Sequence, residues 1–516
     1  MEFFSILNDV LGPVMRGPSS SHTAGSYHIG RIARSLLGEE PVSVSFTFAP
    51  DGSYVKTYLK QAVVPAFAAG IMEWPITDER FPQALEMAAQ RGIKIQFEVS
   101  PFKEADHPNT VMIEMISRQG KKLSAVAKST GGGGFIFSFL DGWPVSLNGK
   151  AHDTLVLCNL SSEQRVREIL TAGESAVGSQ SRIVRGEEVL FWVERTSLLD
   201  SAVQSRLQSL EGVRKIWTTS PLFYVKRGKA LFSSAEEMLW LAESQNFSLG
   251  QVALAYESKL LDLAEEEVRK EILRRFEIMK RAVNQGLADQ DLRMQLLYPS
   301  ARQVFEAESN GKVAVGGIHT RAAARAMAAL HVCNSMGIVC AAPTGGSAGV
   351  LPGVIVTLFE EKKISSEDSA MALLAAGAVG LIVARKATFA AEIAGCQVEI
   401  GAAGAMAAAA VVEVAGGKAR QATDAAAISF QNTMGSVCDL VQGICEIPCH
   451  TRNAVAASSA FVCADLILGG YSNPIPLDES IEAVYASGKM LPGELRCTAL
   501  GGLAVTPSAL ALPRLR

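Results

Sequence analysis

At 516 residues the chain is long enough for about three domains of the usual ~100 to 200 residues each, and a small disulfide-stapled module is excluded. Lys+Arg 48 against Asp+Glu 52 gives a net charge of -4, with charged residues at 19%, which fits neither a disordered chain nor a basic nucleic-acid-binding surface. Hydrophobic residues at 48%, aromatics at 7% and 45 glycines describe an aliphatic, closely packed soluble enzyme whose partner is a small molecule.

Met1 to Met15 carries Glu2 and Asp9 and no basic stretch, which argues against a secretory signal and predicts a cytoplasmic protein. Residues 1–150 mix short helical segments with strands at Val42 to Phe48 and Ile93 to Val99, then reach Gly131 to Gly134, expected to be a flexible loop. From 151 to 228 the order changes to strand Thr154–Asn159, helix Glu163–Thr171, strands Gln180–Arg185 and Val189–Glu194, helix Leu198–Leu210 and strand Val213–Thr218. This β-α-β-β-α-β order predicts a ferredoxin-like unit, either regulatory or dimer-forming. Residues 229–516 read as all-helical, beginning with Ala235–Leu241, Leu249–Leu263 and Glu265–Asn284. The apolar runs Met371 to Ala384 and Gly401 to Val412 are shorter than the ~20 residues a bilayer needs. Being rich in Ala and Gly, they are expected to be buried helices, with no membrane implied.

Nine cysteines are too sparse and uneven for a secreted disulfide framework, so they read as thiols or metal ligands. Three stand out in the helical part: Cys396 in GCQVEIG, Cys438 in TMGSVCDLVQG and Cys449 in EIPCHTRN. A [4Fe-4S] cluster usually takes four thiolates, so three leave one iron open to act as a Lewis acid. Spacing alone also allows ordinary buried thiols, or a zinc site from Cys438, Cys445, Cys449 and His450. GPSSSHTAG (Gly17 to Gly25) gathers Ser19, Ser20, Ser21, His22 and Thr23 between glycines, suiting either a carboxylate or ammonium or a helix N-cap. CAAPTGGSAGVLPG (Cys340 to Gly353), with Thr344, Gly345, Gly346 and Ser347, presents backbone N–H groups to an anion or simply joins two helices.

These motifs, with DHPNT at Asp106 to Thr110, in this order along nearly the whole chain, resemble the iron-sulfur-dependent L-serine dehydratases, also called L-serine ammonia-lyases. The resemblance implies an α+β front domain over 1–150, an ACT-like ferredoxin-type domain over 151–228 and an all-α catalytic domain over 229–516. It implies a [4Fe-4S] cluster on Cys396, Cys438 and Cys449, with substrate bound by Ser19, Ser20, Ser21, Thr23, Asn109, Thr344, Gly345, Gly346 and Ser347. His22 and His107 become the candidates for proton transfer, and Cys158, Cys333, Cys445, Cys463 and Cys497 are left as structural thiols. The substrate is a small amino acid, L-serine first, converted to pyruvate and ammonia; a homodimer is expected. Rival readings are a related lyase such as a cysteine desulfidase, and a catalytically silent amino-acid sensor.

Two departures from the family pattern matter. Gly52 to Val64 reads GSYVKTYLKQAVV, with Gln61 where the family has a histidine, and glutamine cannot exchange a proton near neutral pH. The chain ends ALALPRLR with no terminal cysteine, so capping of the open iron by a tail thiol is not expected.

Overall fold

The strands between Pro41 and Leu147 alternate buried and open residues, as a sheet with one covered face requires. In the computed structural model, which describes residues 3–171, 177–288 and 291–513, they form a six-stranded sheet. Its order is Lys94–Val99, Pro41–Phe48, Thr110–Ser117, Lys122–Gly131, Gly134–Leu140 and Trp143–Leu147. The first two strands are parallel and the rest antiparallel. Val44, Phe46, Val111 and Ile113 face the core. The helices Gly25–Leu37 and Val63–Ile71 pack closely because Gly30 and Gly70 sit where they cross: a Cβ on Gly70 would lie 2.4 Å from the Tyr27 carbonyl. The glycine run expected as a flexible loop closes a hairpin instead. Gly132 and Gly133 take φ of +60° and +86°, the left-handed pair that matches strand twist in a two-residue turn.

The middle unit has the predicted strand-helix order. Its sheet runs Val213–Thr219, His152–Asn159, Glu188–Arg195, Val177–Arg185, all antiparallel, which is ferredoxin-like connectivity. Helix Glu163–Thr171 packs on this sheet through Val166 and Leu170, over a local core with Val156, Val189 and Phe191. Leu155, Leu190 and Trp217 belong to the main core of the protein instead. The second helix is shorter than its apolar spacing suggests, Ser201–Gln208, because the Asp200 side chain caps it by accepting the Ala202 N–H at 2.8 Å.

Among the described residues the last part is built of helices and one named strand, Ile338–Cys340, which pairs antiparallel with Val14–Arg16. At its centre lie Ser366–Lys386, buried from Ser369 to Val383 except for the half-buried Met371, and Ile400–Val414, buried from Ile400 to Val412. Small side chains let neighbours approach from all sides. Both expected apolar runs fall here, in helical segments apolar and long enough to cross a membrane, yet 78% and 83% buried by this protein. The chain also enters this part at its very start. Ile6 and Val10 fill the spaces left by Gly377 and Gly380, and the buried Glu257 carboxylate accepts the N–H groups of Ile6 and Leu7 at 2.8 and 2.9 Å. The opening segment thus packs with the helical half, although the expected first domain began at residue 1.

Candidate active site

The polar wall grows from a π-helical turn, Ser20–Ala24, leading into the helix Gly25–Leu37. Ser19 caps it, its Oγ accepting the His22 N–H at 3.1 Å. The same hydroxyl lies 3.2 Å from His22 Nδ1, Ser21 Oγ lies 3.1 Å from that nitrogen, and Ser53 Oγ is 3.0 Å from Nε2. Burial pushes the His22 pKa down to about 4 by disfavouring the protonated ring, so the imidazole is neutral at pH 7. Ser129 donates to the Ser21 carbonyl at 2.7 Å, tying the turn to the sheet beside the glycine hairpin.

A second loop descends from Ile338–Cys340. Gly345 and Gly346 are required by closeness: a Cβ on Gly345 would meet the Ser20 nitrogen at 2.9 Å, and one on Gly346 would meet Glu399 Oε1 at 2.7 Å and Cys445 Sγ at 3.2 Å. Gly345 N–H donates to Ser20 Oγ at 3.2 Å, and Thr344 Oγ1 donates to Glu399 Oε1 at 2.5 Å. Burial, with Glu392 adding to it, raises the Glu399 pKa to about 7 against the opposing Thr344 hydrogen bond.

The sulfur wall is assembled from distant segments. Cys396 opens a short 3-10 turn, Cys449 opens the helix Cys449–Leu468, and Cys438 lies in the connection before it. A sulfur of Cys396, a sulfur of Cys438 and an oxygen of Glu399 all lie within 4.8 Å of one another. Cys438 also touches Cys497, because the chain near the end returns beside it: Cys438 N–H donates to Leu495 O at 2.9 Å and Cys497 N–H to Cys438 O at 2.8 Å. Cys445 touches Cys449. The neighbouring thiols first, and burial second, push the Cys438 and Cys445 pKa values well above the ordinary range. Such thiols ionise together only when a cation compensates them. The Arg452 guanidinium supplies part of that charge, 3.6 Å from Cys396 Sγ, and is held by Val437 O at 2.8 Å and Asp439 at 2.9 Å. Soft, buried sulfur donors beside one cation suit an iron-sulfur group.

The two walls border one narrow cleft, lined by Ser19, Ser20, Ser21, His22, Thr344, Gly346 and Cys438 among the expected residues. Thr23, Gly345 and Ser347 stand behind the lining; Thr23 Oγ1 donates to Gln61 O at 2.9 Å, and Ser347 Oγ is 3.1 Å from Thr344 Oγ1. Cys396 and Cys449 are buried behind it as well. His107 and Asn109 do not line the cleft. His107 Nδ1 accepts the Asn109 N–H at 3.1 Å, and this turn is tied to the site through the Asn109 carbonyl, which accepts the N–H of Ser129 at 3.2 Å, and through the Pro108 carbonyl, which accepts the N–H of Ser53 at 2.7 Å. Gln61 lines the cleft, and its carboxamide donates to Gly443 O at 2.8 Å, fastening the front part to the turn before Cys445.

Sequence reasoning missed four participants. Cys445 and Cys497, expected as structural thiols, line the cleft, as does Glu399, and Ser53 holds His22. Cys445 lies between Cys438 and Cys449 in sequence, a signal that was available. Cys497 carries none, because only its pairing with Cys438 brings it in.

Residues 234–504 match the family model described as serine dehydratase alpha chain. The probable L-serine dehydratase alpha chain of Bacillus subtilis is 36% identical over 284 residues, 55% of this chain and 95% of the relative. The L-serine dehydratase alpha chain of Peptoniphilus asaccharolyticus is 34% identical over 275 residues, 53% of this chain and 94% of the relative. The probable L-serine dehydratase beta chain of Bacillus subtilis is 33% identical over 220 residues, 42% of this chain and 98% of the relative.

Proposed function

As the chain belongs to the serine dehydratase alpha chain family and is a lyase, we propose that it is a cytoplasmic L-serine ammonia-lyase with a [4Fe-4S] cluster. The observation that supports this most is that Ser19 to His22 and Cys438 line one cleft from opposite ends of the sequence. Cys396, Cys438 and Cys449 are the proposed cluster ligands, with Arg452 as counter-charge beside Cys396. When bound, the cluster supplies an open iron as a Lewis acid for the carboxylate and β-hydroxyl of serine.

The chain's own groups do the rest. Ser19, Ser20, Ser21 and Thr344 receive the polar groups of the substrate, and the close seating of Gly345 and Gly346 holds Thr344 against Glu399. Ser53 keeps a proton on His22 Nε2, leaving Nδ1, between Ser19 and Ser21, to take the α-proton. His22 passes that proton to the departing β-hydroxyl, which leaves as water, and the resulting aminoacrylate tautomerises and is hydrolysed to pyruvate and ammonia. His107 and Asn109 are positioning residues behind Ser129. Gln61 fills the family histidine's position as a tether, so proton transfer falls to His22. The middle unit is read as ACT-like, in a homodimer.

The test is an anaerobic assay with serine, threonine and cysteine. Pyruvate and ammonia from serine are expected. Sulfide from cysteine as the faster product would make it a desulfidase, and tight serine binding without turnover by cluster-loaded protein would make it a sensor.

A further inference from the structure

A second, larger cleft opens where the linker Pro221 to Tyr224 passes between the front helix Gly25–Leu37 and the long helix Glu265–Ala288. Its wall is aromatic: the His28 ring meets Phe223 edge-on at 5.2 Å and Tyr27 at 5.5 Å. Apolar side chains of Leu7, Val14 and Ile76 continue that lining. The linker is fixed, because Asn8 and Tyr224 exchange two hydrogen bonds of 2.8 Å each.

Three guanidinium groups, Arg31, Arg274 and Arg275, face this space with a single carboxylate, Glu271. Arg275 is committed to the Leu7 and Leu11 carbonyls and to Glu271. Arg274 holds the same carboxylate through two contacts of 2.7 Å. Arg31 donates to the Glu73 carbonyl at 2.7 Å and has no carboxylate partner among the described residues. The lining therefore carries an excess of positive charge beside an apolar surface. That combination selects a small anion with an apolar body, and planar guanidinium groups favour a carboxylate.

The cleft shares its inner wall with the catalytic site. His28 Nδ1 donates to Gly133 O at 2.8 Å, in the hairpin whose Gly131 and Gly132 line the catalytic cleft. Pro13 lines the second cleft, and its carbonyl accepts the Ala341 N–H at 3.0 Å, just ahead of Thr344. A Cβ on Gly133 would meet the Pro13 ring at 2.8 Å, so the two connections touch each other. We propose that this cleft is an effector site for a small carboxylate with an apolar body, and that occupancy is transmitted to the catalytic cleft through His28 and Pro13.

Binding is read first without turnover, so that its failure is distinct from failure of the lyase reading. Phenylpyruvate, L-phenylalanine and phenethylamine are titrated calorimetrically into the anaerobic full-length protein. The oxo acid, the amino acid or both should bind saturably, and the amine should not. Binding of the amino acid alone means that the ammonium is also recognised, and binding of the oxo acid alone means that charge and shape suffice. Arg31→Gln should weaken binding at least about tenfold with unfolding temperature unchanged, and Arg31→Ala with Arg274→Ala should abolish it. In the wild type the bound acid should shift the KM for serine by about fivefold or more. His28→Phe should keep the binding and lose the shift. Failure of both acids to bind, equal binding of the amine, undiminished binding in the arginine variants, or binding with an unchanged KM would each overturn the proposal.

Discussion

The polar and sulfur walls of the catalytic cleft face each other but are built on different principles. Ser19 to His22 form a self-supporting turn, in which the capping hydroxyl, the histidine and two of its three hydroxyl neighbours lie within four consecutive residues. The sulfur wall has no local logic: Cys396, Cys438, Cys445, Cys449 and Cys497 come from separate turns, a helix start and a returning terminal segment. A local wall tolerates chemical change without losing its shape. A convergent wall stands only while the helices behind it and the groups between it do.

The sharpest break between the walls is His22→Asn, which keeps a polar side chain in the turn but removes the base. Serine turnover should fall by about 10² to 10⁴, with iron content and unfolding temperature unchanged; iron loss would mean that the walls are not independent. Behind the sulfur wall, His331 is fully buried with no hydrogen-bond partner on either ring nitrogen among the described residues, its ring tilted by 48° to that of His450 at 5.0 Å. Burial lowers its pKa to about 4, so as pH falls from about 6.5 the unfolded chain takes up the proton first. Its contribution is intact above about 6.5 and lost toward pH 4. His331→Leu should therefore gain acid stability over the wild type, by up to about 3 kcal/mol at pH 4, in urea unfolding at pH 7 and pH 4; an equal pH dependence in both proteins would contradict this.

At the seam, Gly346→Ala should cost about 1–3 kcal/mol of stability and raise the KM for serine, since the methyl group displaces Glu399 or Cys445. An unchanged KM would mean that the loop is not seated as described. The smallest effect is expected from Gln61→Ala, which removes one tether between front part and cysteine turn. One hydrogen bond of about 1 kcal/mol predicts roughly a fivefold loss in kcat/KM with iron retained.

The same contrast governs what could be read from the sequence. The strand-helix order of the middle unit and the Ser-rich turn are local patterns, and both are found where periodicity and capping chemistry put them. The second middle helix came out shorter because the Asp200 cap outweighed the apolar spacing before it. Cys497 and the Gln61 tether depend on which segments meet across the core, and nothing in their neighbours announces it. His107 looked equivalent to His22 as a proton carrier, but its neighbours direct it toward the Asn109 backbone and away from the cleft.

The measurement that bears most directly on the central claim is iron and sulfide bound per chain in anaerobically purified protein, wild type beside Cys396→Ala, Cys438→Ala, Cys449→Ala and Cys463→Ala. The account predicts a brown wild type that holds a cluster and loses it with turnover in air, with the cluster absent in the first three variants and kept in the fourth, whose thiol is buried away from the cleft. A colourless, air-stable wild type that deaminates serine with no bound iron would contradict it.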